Sequence, residues 1–174
     1  MPDRVGWHIG GAIHSMHYAG AFRFACAYMS EHFADPVLLE NLQRTLTAMP
    51  PVAAMGIRIA GYDNGVLRMQ APLDVNINDK GNAFGGSLAS VMTLSGWALV
   101  SMRLGLAGQQ AEVYVADSNI RYRAPVYGDL LATARLAPEQ DWDEFLTTFS
   151  KRGRARVTVR AAIEGGAAEF EGRF

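Results

Sequence analysis

With 174 residues, 49% of them hydrophobic and 19% charged, the chain has the composition of a globular protein with one sizeable core. Its net charge of -1 excludes the basic field that would hold nucleic acid or an anionic membrane surface. The single cysteine, Cys26, excludes an internal disulfide framework and fits a reducing compartment, so we expect a cytoplasmic protein.

Residues 1–35 are interpreted as an N-terminal extension that precedes one domain over residues 36–174. The extension is moderately apolar, but histidines and Arg23 interrupt the apolar run that a signal peptide needs. It also holds every histidine of the chain and its cysteine, in a spacing that matches no recognised metal-ligand pattern: His8, His14, His17, Cys26 and His32. We therefore expect no metal site.

The domain begins with a helix and a β-hairpin. Asp35-Pro36 is typical of a helix start, with Asp as N-cap and Pro in the first helical position, and Met49-Pro50-Pro51 ends the segment. Two alternating runs, 55–60 and 66–71, flank Asp63-Asn64-Gly65, which predicts a hairpin.

The next segment contains an uncharged run of 20 residues, 83–102. Such a run is long enough to span a membrane. However, it carries five hydroxyl side chains and three glycines, and strands with alternating polarity surround it. A helix that is apolar all round is otherwise buried on every side, and its hydroxyls can bond to carbonyls one turn earlier. We predict a buried central helix over residues 86–104.

Strands are predicted within 111–126, 128–137, 154–165 and 167–174, with a short helix within 138–153. One long helix and six strands indicate an α+β fold in which a single antiparallel sheet covers the helix.

The pair Gly85-Gly86 opens the predicted central helix. Free N–H groups and the positive end of the dipole favour negative charge there, and glycine leaves them accessible. An oxyanion would be stabilised by about 3–4 kcal/mol per good donor. By itself the pair is a weak signal, because it would equally allow tight helix–sheet packing.

Three segments carry a resemblance to a known family: NINDKGNAFGGSLASVMTLSGWALV, VADSNIRYRAPVYGDL and RGRARVTV. They resemble hotdog-fold thioesterases, and most closely the thioesterase domain of the YiiD C-terminal type, from about Leu42 to Phe174. The resemblance implies a long central helix wrapped by a curved antiparallel sheet of five to six strands. It also implies homodimers or dimers of dimers, and acyl thioesters of coenzyme A or acyl carrier protein as substrates, without a cofactor.

The resemblance places the active site between the helix N-terminus and a partner subunit. It assigns backbone donors to Gly85 and Gly86, and it puts Asn78 and Asn82 in the loop at the mouth of the site. Two positions depart from the family pattern: Phe84 stands where many members have histidine, and Thr93 stands where many have a catalytic carboxylate.

Asp117 is the candidate replacement for that carboxylate. Asp and Asn are poor strand formers, yet Asp117, Ser118 and Asn119 lie between apolar runs. We predict that Asp117 lies on a half-buried strand face and activates a water that Asn119 or Thr93 orients. The water then attacks a thioester carbonyl held on the N–H groups of Gly86 and Ser87. Equally, these polar residues could cap a bulge or bond across the dimer seam.

Arginines could hold the phosphates of the coenzyme, since their side chains bind phosphate bidentately. Arg121 and Arg123 follow the polar patch, and Arg152 and Arg154 lie in the segment KRGRAR; these four are the candidates. Ser118 is a further substrate-binding candidate. The simpler reading is that these arginines are solvated.

Two other functions were weighed. A hotdog dehydratase needs histidine, and no histidine follows Leu42. A non-catalytic module that binds acyl-coenzyme A stays possible, because the usual helix carboxylate is missing. The sequence leaves open which of Met92, Leu94, Trp97 and Leu99 line an acyl channel.

Overall fold

The computed structural model describes residues 35–174. The extension, with its histidines and Cys26, therefore lies outside the described residues. The elements are, in chain order, α1 (Pro36–Thr47), α2 (Pro50–Ala54), β1 (Arg58–Asp63), β2 (Val66–Ala71), α3 (Gly85–Leu106), β3 (Asp117–Tyr122), β4 (Leu130–Leu136), α4 (Trp142–Arg152), β5 (Thr158–Ile163), a 3₁₀ turn (Glu164–Gly166) and β6 (Ala168–Arg173).

The strands form one six-stranded sheet in the order β1-β2-β4-β5-β6-β3, and every neighbouring pair is antiparallel. Side chains alternate between the faces of a strand, so one face of the sheet is apolar and packs on α3. Leu67, Met69, Ala132, Val159 and Phe170 belong to this inner face and are buried. The predicted α+β fold, with a central helix wrapped by a curved antiparallel sheet, is confirmed.

α3 is the core helix, and the structure extends it slightly beyond the predicted range. By length and composition it could cross a membrane, but 61% of its most apolar stretch is buried inside the fold. Its hydroxyls bond backward as expected: Ser90 Oγ donates to the Gly86 carbonyl at 2.8 Å, and Ser95 Oγ donates to the Met92 carbonyl at 2.7 Å. The serines thus satisfy their polar groups without needing water.

The start of the domain follows the sequence signals. Asp35 Oδ1 accepts the N–H groups of Val37 at 2.9 Å and Leu38 at 3.3 Å, which caps α1. Asn64 and Gly65 take positive φ angles of 49° and 72°, as a tight hairpin turn requires. One difference appears at Pro50, which begins the second helix α2 instead of leading directly into a strand.

β3 is shorter than the strand predicted within 111–126. Its partner β6 ends at Arg173, and Phe174 bonds to Val157 instead, at 3.0 Å in both directions. Before Asp117, only the Ala116 N–H, which donates to the Arg173 carbonyl at 2.7 Å, follows the sheet. Asp117 is therefore the first residue of β3 and not a mid-strand residue.

Gly96 makes a close contact between α3 and the end of the chain. A Cβ atom there would lie 2.8 Å from two ring carbons of the buried Phe174 and 3.5 Å from a methyl group of Val159. Glycine therefore leaves room for the Phe174 ring to pack directly on α3.

We predict that Gly96→Val lowers the free energy of unfolding by about 1–3 kcal/mol, since the added methyl groups overpack the core. The same substitution at Gly128, where an added Cβ would meet no atom within 4 Å, is the matched control and should change stability by less than about 0.5 kcal/mol. Urea denaturation of both variants tests this. Equal effects at the two positions would contradict the tight approach at Gly96.

Candidate active site

The N-terminus of α3 presents backbone donors without a partner. Among residues 35–174, no acceptor binds the N–H groups of Gly85, Gly86 and Ser87, and the N-cap residue Phe84 provides no side-chain cap. The first intrahelical bond is donated by Leu88 to the Phe84 carbonyl at 3.1 Å. These three N–H groups lie at the positive end of a 22-residue helix, where an anion or oxyanion would be stabilised.

The two glycines serve different purposes. A Cβ on Gly86 would lie 2.3 Å from the ring of Phe84, which covers this glycine, whereas a Cβ on Gly85 would only touch the Tyr122 ring at 3.7 Å. The Gly85 carbonyl accepts the Tyr122 hydroxyl at 3.1 Å. Gly86 thus lets the exposed Phe84 ring fold over the helix start, and Gly85 ties this turn to β3.

The loop before α3 is held by asparagine side chains. Asn78 Oδ1 accepts the Lys80 N–H at 2.8 Å, and Asn78 Nδ2 donates to Asn82 Oδ1 at 2.9 Å. The Asn78 N–H also donates to the Asn82 carbonyl at 2.8 Å. The structure therefore brings Asn78 and Asn82 together near the helix start, but their polar groups shape the loop.

Asn76 is a positioning residue that the sequence did not single out. It is 2% exposed, and its Nδ2 donates to the carbonyls of Met55 at 2.8 Å and Pro72 at 2.7 Å. Its carbonyl accepts the Phe84 N–H at 2.7 Å, which fixes the residue before α3. In an Asn-rich loop, no sequence pattern distinguishes this buried asparagine from the half-buried Asn78 and Asn82.

The side of α3 that faces away from the sheet is half-exposed over its N-terminal half. Gly86, Ser90, Thr93 and Trp97 lie on this side, because they recur at helical spacing. Residues 113–122 run beside it: Tyr122 bonds to Gly85, and Trp97 Nε1 donates to the Val113 carbonyl at 3.1 Å. We call the space between this side of α3 and residues 113–122 the edge groove.

The register of β3 decides which of its side chains face the edge groove. Ser118, Ile120 and Tyr122 pair with Gly172, Phe170 and Ala168 of β6, three residues of the inner face. The alternation of side chains along β3 could have identified Tyr122 as a residue of the edge groove, since it shares a strand face with Ile120. Ser118 is thus the one residue of the predicted Asp-Ser-Asn patch on the side of α3.

Asp117 and Asn119 lie on the opposite, outer face. The prediction that Asp117 lies on a half-buried face is wrong. Its side chain is 58% exposed and forms an ion pair with Arg173. Its register partner Arg173 belongs to the outer face. Within one chain the structure does not bring Asp117 to Gly86 or Thr93, and Asn119 lines an open outer depression of about 620 Å³.

The predicted phosphate-binding arginines are dispersed. Arg121 lines the same outer depression, and Arg123 pairs with Glu169 at 2.7 Å. Nearby Arg160 hydrogen-bonds to Glu171, and this bond together with the charge of Glu139 raises the pKa of Arg160. These groups cover the outer face with charge.

Arg152 and Arg154 lie at the C-terminal end of α4. That helix packs near the far end of α3, where the Arg103 guanidinium stacks on Trp142 at 5.3 Å. Gly86 and Arg103 are separated by about 25 Å along the helix axis. One chain therefore does not bring Arg152 and Arg154 to the helix start.

Comparisons with known proteins agree with this geometry. A sequence profile of the family described as "Putative thioesterase (yiiD_Cterm)" matches residues 39–174. A solved protein of unknown function from Chlorobaculum tepidum is 29% identical, covers 83% of this chain and 96% of its own, and gives a TM-score of 0.75. A protein described as a putative thioesterase from Shewanella oneidensis is 30% identical, with coverages of 80% and 96% and a TM-score of 0.72.

A third structure, described as a probable thioesterase from Pseudomonas aeruginosa, is 24% identical, with coverages of 82% and 95% and a TM-score of 0.62. It shares the fold. Within residues 35–174, no group of His, Cys, Asp and Glu side chains could hold a metal ion.

We predict that Asn76→Asp destabilises the protein by roughly 3 kcal/mol or more at neutral pH, because an unpaired carboxylate would face two carbonyl oxygens in a buried site. The loss should shrink as the pH falls and the introduced carboxylate binds a proton. Asn82→Asp is the matched control, since Asn82 Oδ1 acts as an acceptor. Thermal unfolding between neutral and acidic pH measures both, and a pH-independent loss would contradict the assigned contacts.

Proposed function

Because the chain belongs to the YiiD C-terminal thioesterase family, we propose that it hydrolyses acyl thioesters of coenzyme A or acyl carrier protein in the cytoplasm. The observation that carries this proposal is the start of α3, where the N–H groups of Gly85, Gly86 and Ser87 have no acceptor among residues 35–174. In this proposal the acyl chain lies in the edge groove, beside Gly86, Thr93 and Trp97 of α3. The coenzyme belongs to the substrate, so the reaction needs no further cofactor.

In the proposed reaction, the thioester carbonyl oxygen lies on the N–H groups of Gly86 and Ser87. A water oxygen bonds to the carbonyl carbon, and the negative charge that develops on the carbonyl oxygen is stabilised by these donors. The C–S bond then breaks, and the water supplies the hydroxyl of the acid and the proton of the leaving thiol. Thr93 and Ser118, on the two walls of the edge groove, are the proposed groups that orient the water.

A second copy of the chain completes the proposed site. β3 is an edge strand of the sheet, and an unpaired edge is a template for another strand. Large apolar side chains around this edge and the start of α3 are exposed: Ile77, Phe84, Tyr114, Val115, Tyr122 and Tyr127. We propose that two copies pair through their β3 strands and form a dimer, which is either the whole assembly or half of a dimer of dimers. This pairing encloses both edge grooves.

A non-catalytic acyl-coenzyme A-binding module is the second candidate, and one observation favours it. Within residues 35–174, the polar side chains that we assign to the edge groove are Ser90, Thr93, Trp97, Ser118 and Tyr122, and none of these is a carboxylate or an imidazole. A general base contributes about 10²–10⁴-fold to such a reaction. Release of thiol from acyl-coenzyme A separates the candidates, because a module would bind without releasing it.

We predict that Gly86→Pro lowers kcat by about 10²–10³-fold, since it removes one oxyanion donor at a helix position that tolerates proline. Gly86→Ala is the matched control, because it displaces the Phe84 ring in the same way but keeps the N–H group; its loss should be much smaller. Thiol release from a panel of acyl-coenzyme A thioesters, read with a thiol-reactive dye, measures both. Circular dichroism establishes that α3 is retained.

Asp117→Asn extends the same experiment. Because Asp117 lies on the outer face and pairs with Arg173, this variant should keep the turnover of the unmodified protein. Loss of turnover would return Asp117 to the mechanism, and equal rates for the proline and alanine variants would remove the oxyanion role of Gly86.

We predict that the protein has at least twice the chain mass in solution, and that Val115→Lys halves it. Lysine on an edge opposes strand pairing, and Val115, 45% exposed, lies two residues before the start of β3. Val37→Lys is the matched control, since Val37 is 65% exposed on α1. Light scattering after gel filtration measures all three proteins, and a monomeric unmodified protein would contradict the proposed pairing.

A further inference from the structure

Two different structures cover the two halves of the helix side that faces away from the sheet. At 100° per residue, Gly86, Thr93, Trp97, Val100 and Leu104 fall on this one side of α3. The N-terminal half, from Gly86 to Thr93, is half-exposed, whereas Val100 and Leu104 are buried. α4 and residues 111–116 cover the C-terminal half, and Trp97 lies at the boundary.

An open cavity lies directly beyond this boundary. It has a volume of about 260 Å³ and is bounded by α3, α4 and residues 111–116. Most of its wall area is apolar and comes from Val100, Leu104, Val113, Phe145, Phe149 and Phe174, and charged residues stand beside them: Glu112, Arg154 and Arg156. A cavity of roughly 150 Å³ with apolar walls can bind benzene, so this one has room for the end of an alkyl chain.

Along α3, Trp97 lies between the edge groove and the wall residues of the cavity. Its Nε1 donates to the carbonyl of Val113, a wall residue of the cavity, at 3.1 Å, and this bond fixes the indole. Side chains on a helix lean toward its N-terminus, so the ring lies over the turn that contains Thr93. The next turn of the same side begins with Val100, another wall residue.

We propose that Trp97 sets the length of the acyl chain by closing the end of the edge groove, and that the cavity behind it is an unused extension. This inference rests on the proposed function. Gly86 and Trp97 are separated by about 16 Å along the helix axis, so an acyl chain whose carbonyl lies at Gly86 meets the indole at a medium length. Longer chains would have to displace it.

The other candidates for this role lie elsewhere. Met92 and Leu99 are fully buried in the core under the sheet. Leu94 lies about 80° around the helix from Gly86, to one side of the groove. Trp97 is the only one of the four residues on the line that joins Gly86 to Val100.

The test compares Trp97→Ala with the unmodified protein on octanoyl-, dodecanoyl- and palmitoyl-coenzyme A. Each methylene group buried in an apolar site favours binding about fourfold, so the ratio of kcat/KM for palmitoyl over octanoyl thioester should rise at least tenfold. Trp142→Phe is the control, because it shortens another tryptophan and keeps an aromatic ring next to Arg103 and the wall residue Phe145. It should leave the ratio unchanged, and an unchanged ratio in Trp97→Ala as well would overturn the inference.

A second variant tests the cavity itself. Ala155 is a wall residue in the loop after α4, so Ala155→Leu fills the cavity from the side opposite Trp97. In combination with Trp97→Ala it should abolish the gain for palmitoyl thioester. A gain that survives would overturn the assignment of the cavity. If Trp97→Ala does not fold, Trp97→Leu makes the same comparison with a smaller opening.

Failure of the proposed function gives a different result. If the unmodified protein releases no thiol from any of the three thioesters, hydrolysis is wrong, and calorimetry with their non-hydrolysable thioether analogues replaces the kinetics. A gain in affinity for the palmitoyl analogue in Trp97→Ala alone would then support the role of Trp97. Equal affinities in both proteins would overturn it.

Discussion

The structure depends on one constraint, which is that α3 has no polar side. A helix of this kind must be covered along nearly its whole circumference, and the curved sheet, α1, α4 and residues 111–116 share this task. Close approach at Gly96 and inward-bonded serines make the cover possible. The region from Gly86 to Thr93 on the side away from the sheet is the part that the described chain leaves half-open. The candidate site lies there because the fold leaves that region uncovered.

Polar side chains around the helix start act mainly on the backbone. Asn76 and Asn78 hold the preceding loop, and the Tyr122 hydroxyl bonds to the Gly85 carbonyl. Consequently the donors left for a ligand are main-chain N–H groups, whose positions are fixed by the helix. Such preorganised donors suit a charge that develops during a reaction better than flexible side chains do. The same rigidity explains how an exposed site can keep its geometry with few charged residues.

Much of the fold was predictable, because long apolar periodicity and turn residues are local signals. The run 83–102 identified the core helix, and Asp35 and Asn64-Gly65 identified a cap and a turn. The placement of Asp117 was not predictable. Sequence alternation assigned it the same face as Val113 and Val115, but residues 111–116 leave the sheet, and the register with β6 turns Ser118 inward instead. A shift of one residue exchanges the two faces of a strand, and only tertiary pairing fixes it. Trp97 and Asn76 depend on contacts across the fold in the same way.

The order of strands in the sheet has a consequence for biosynthesis. β6 inserts between β5 and β3, so an interior position of the sheet is filled by the last of the six strands to be synthesised. Among the elements of residues 35–174, only α1, α2 and the first hairpin precede α3, so β4, β5 and β6 cover its apolar surface later. Non-local pairing of this kind closes slowly and leaves intermediates prone to aggregate. We therefore expect a nascent chain of this protein to expose an apolar helix that chaperones can bind, whereas 61% of the most apolar stretch of that helix is buried once the sheet has closed.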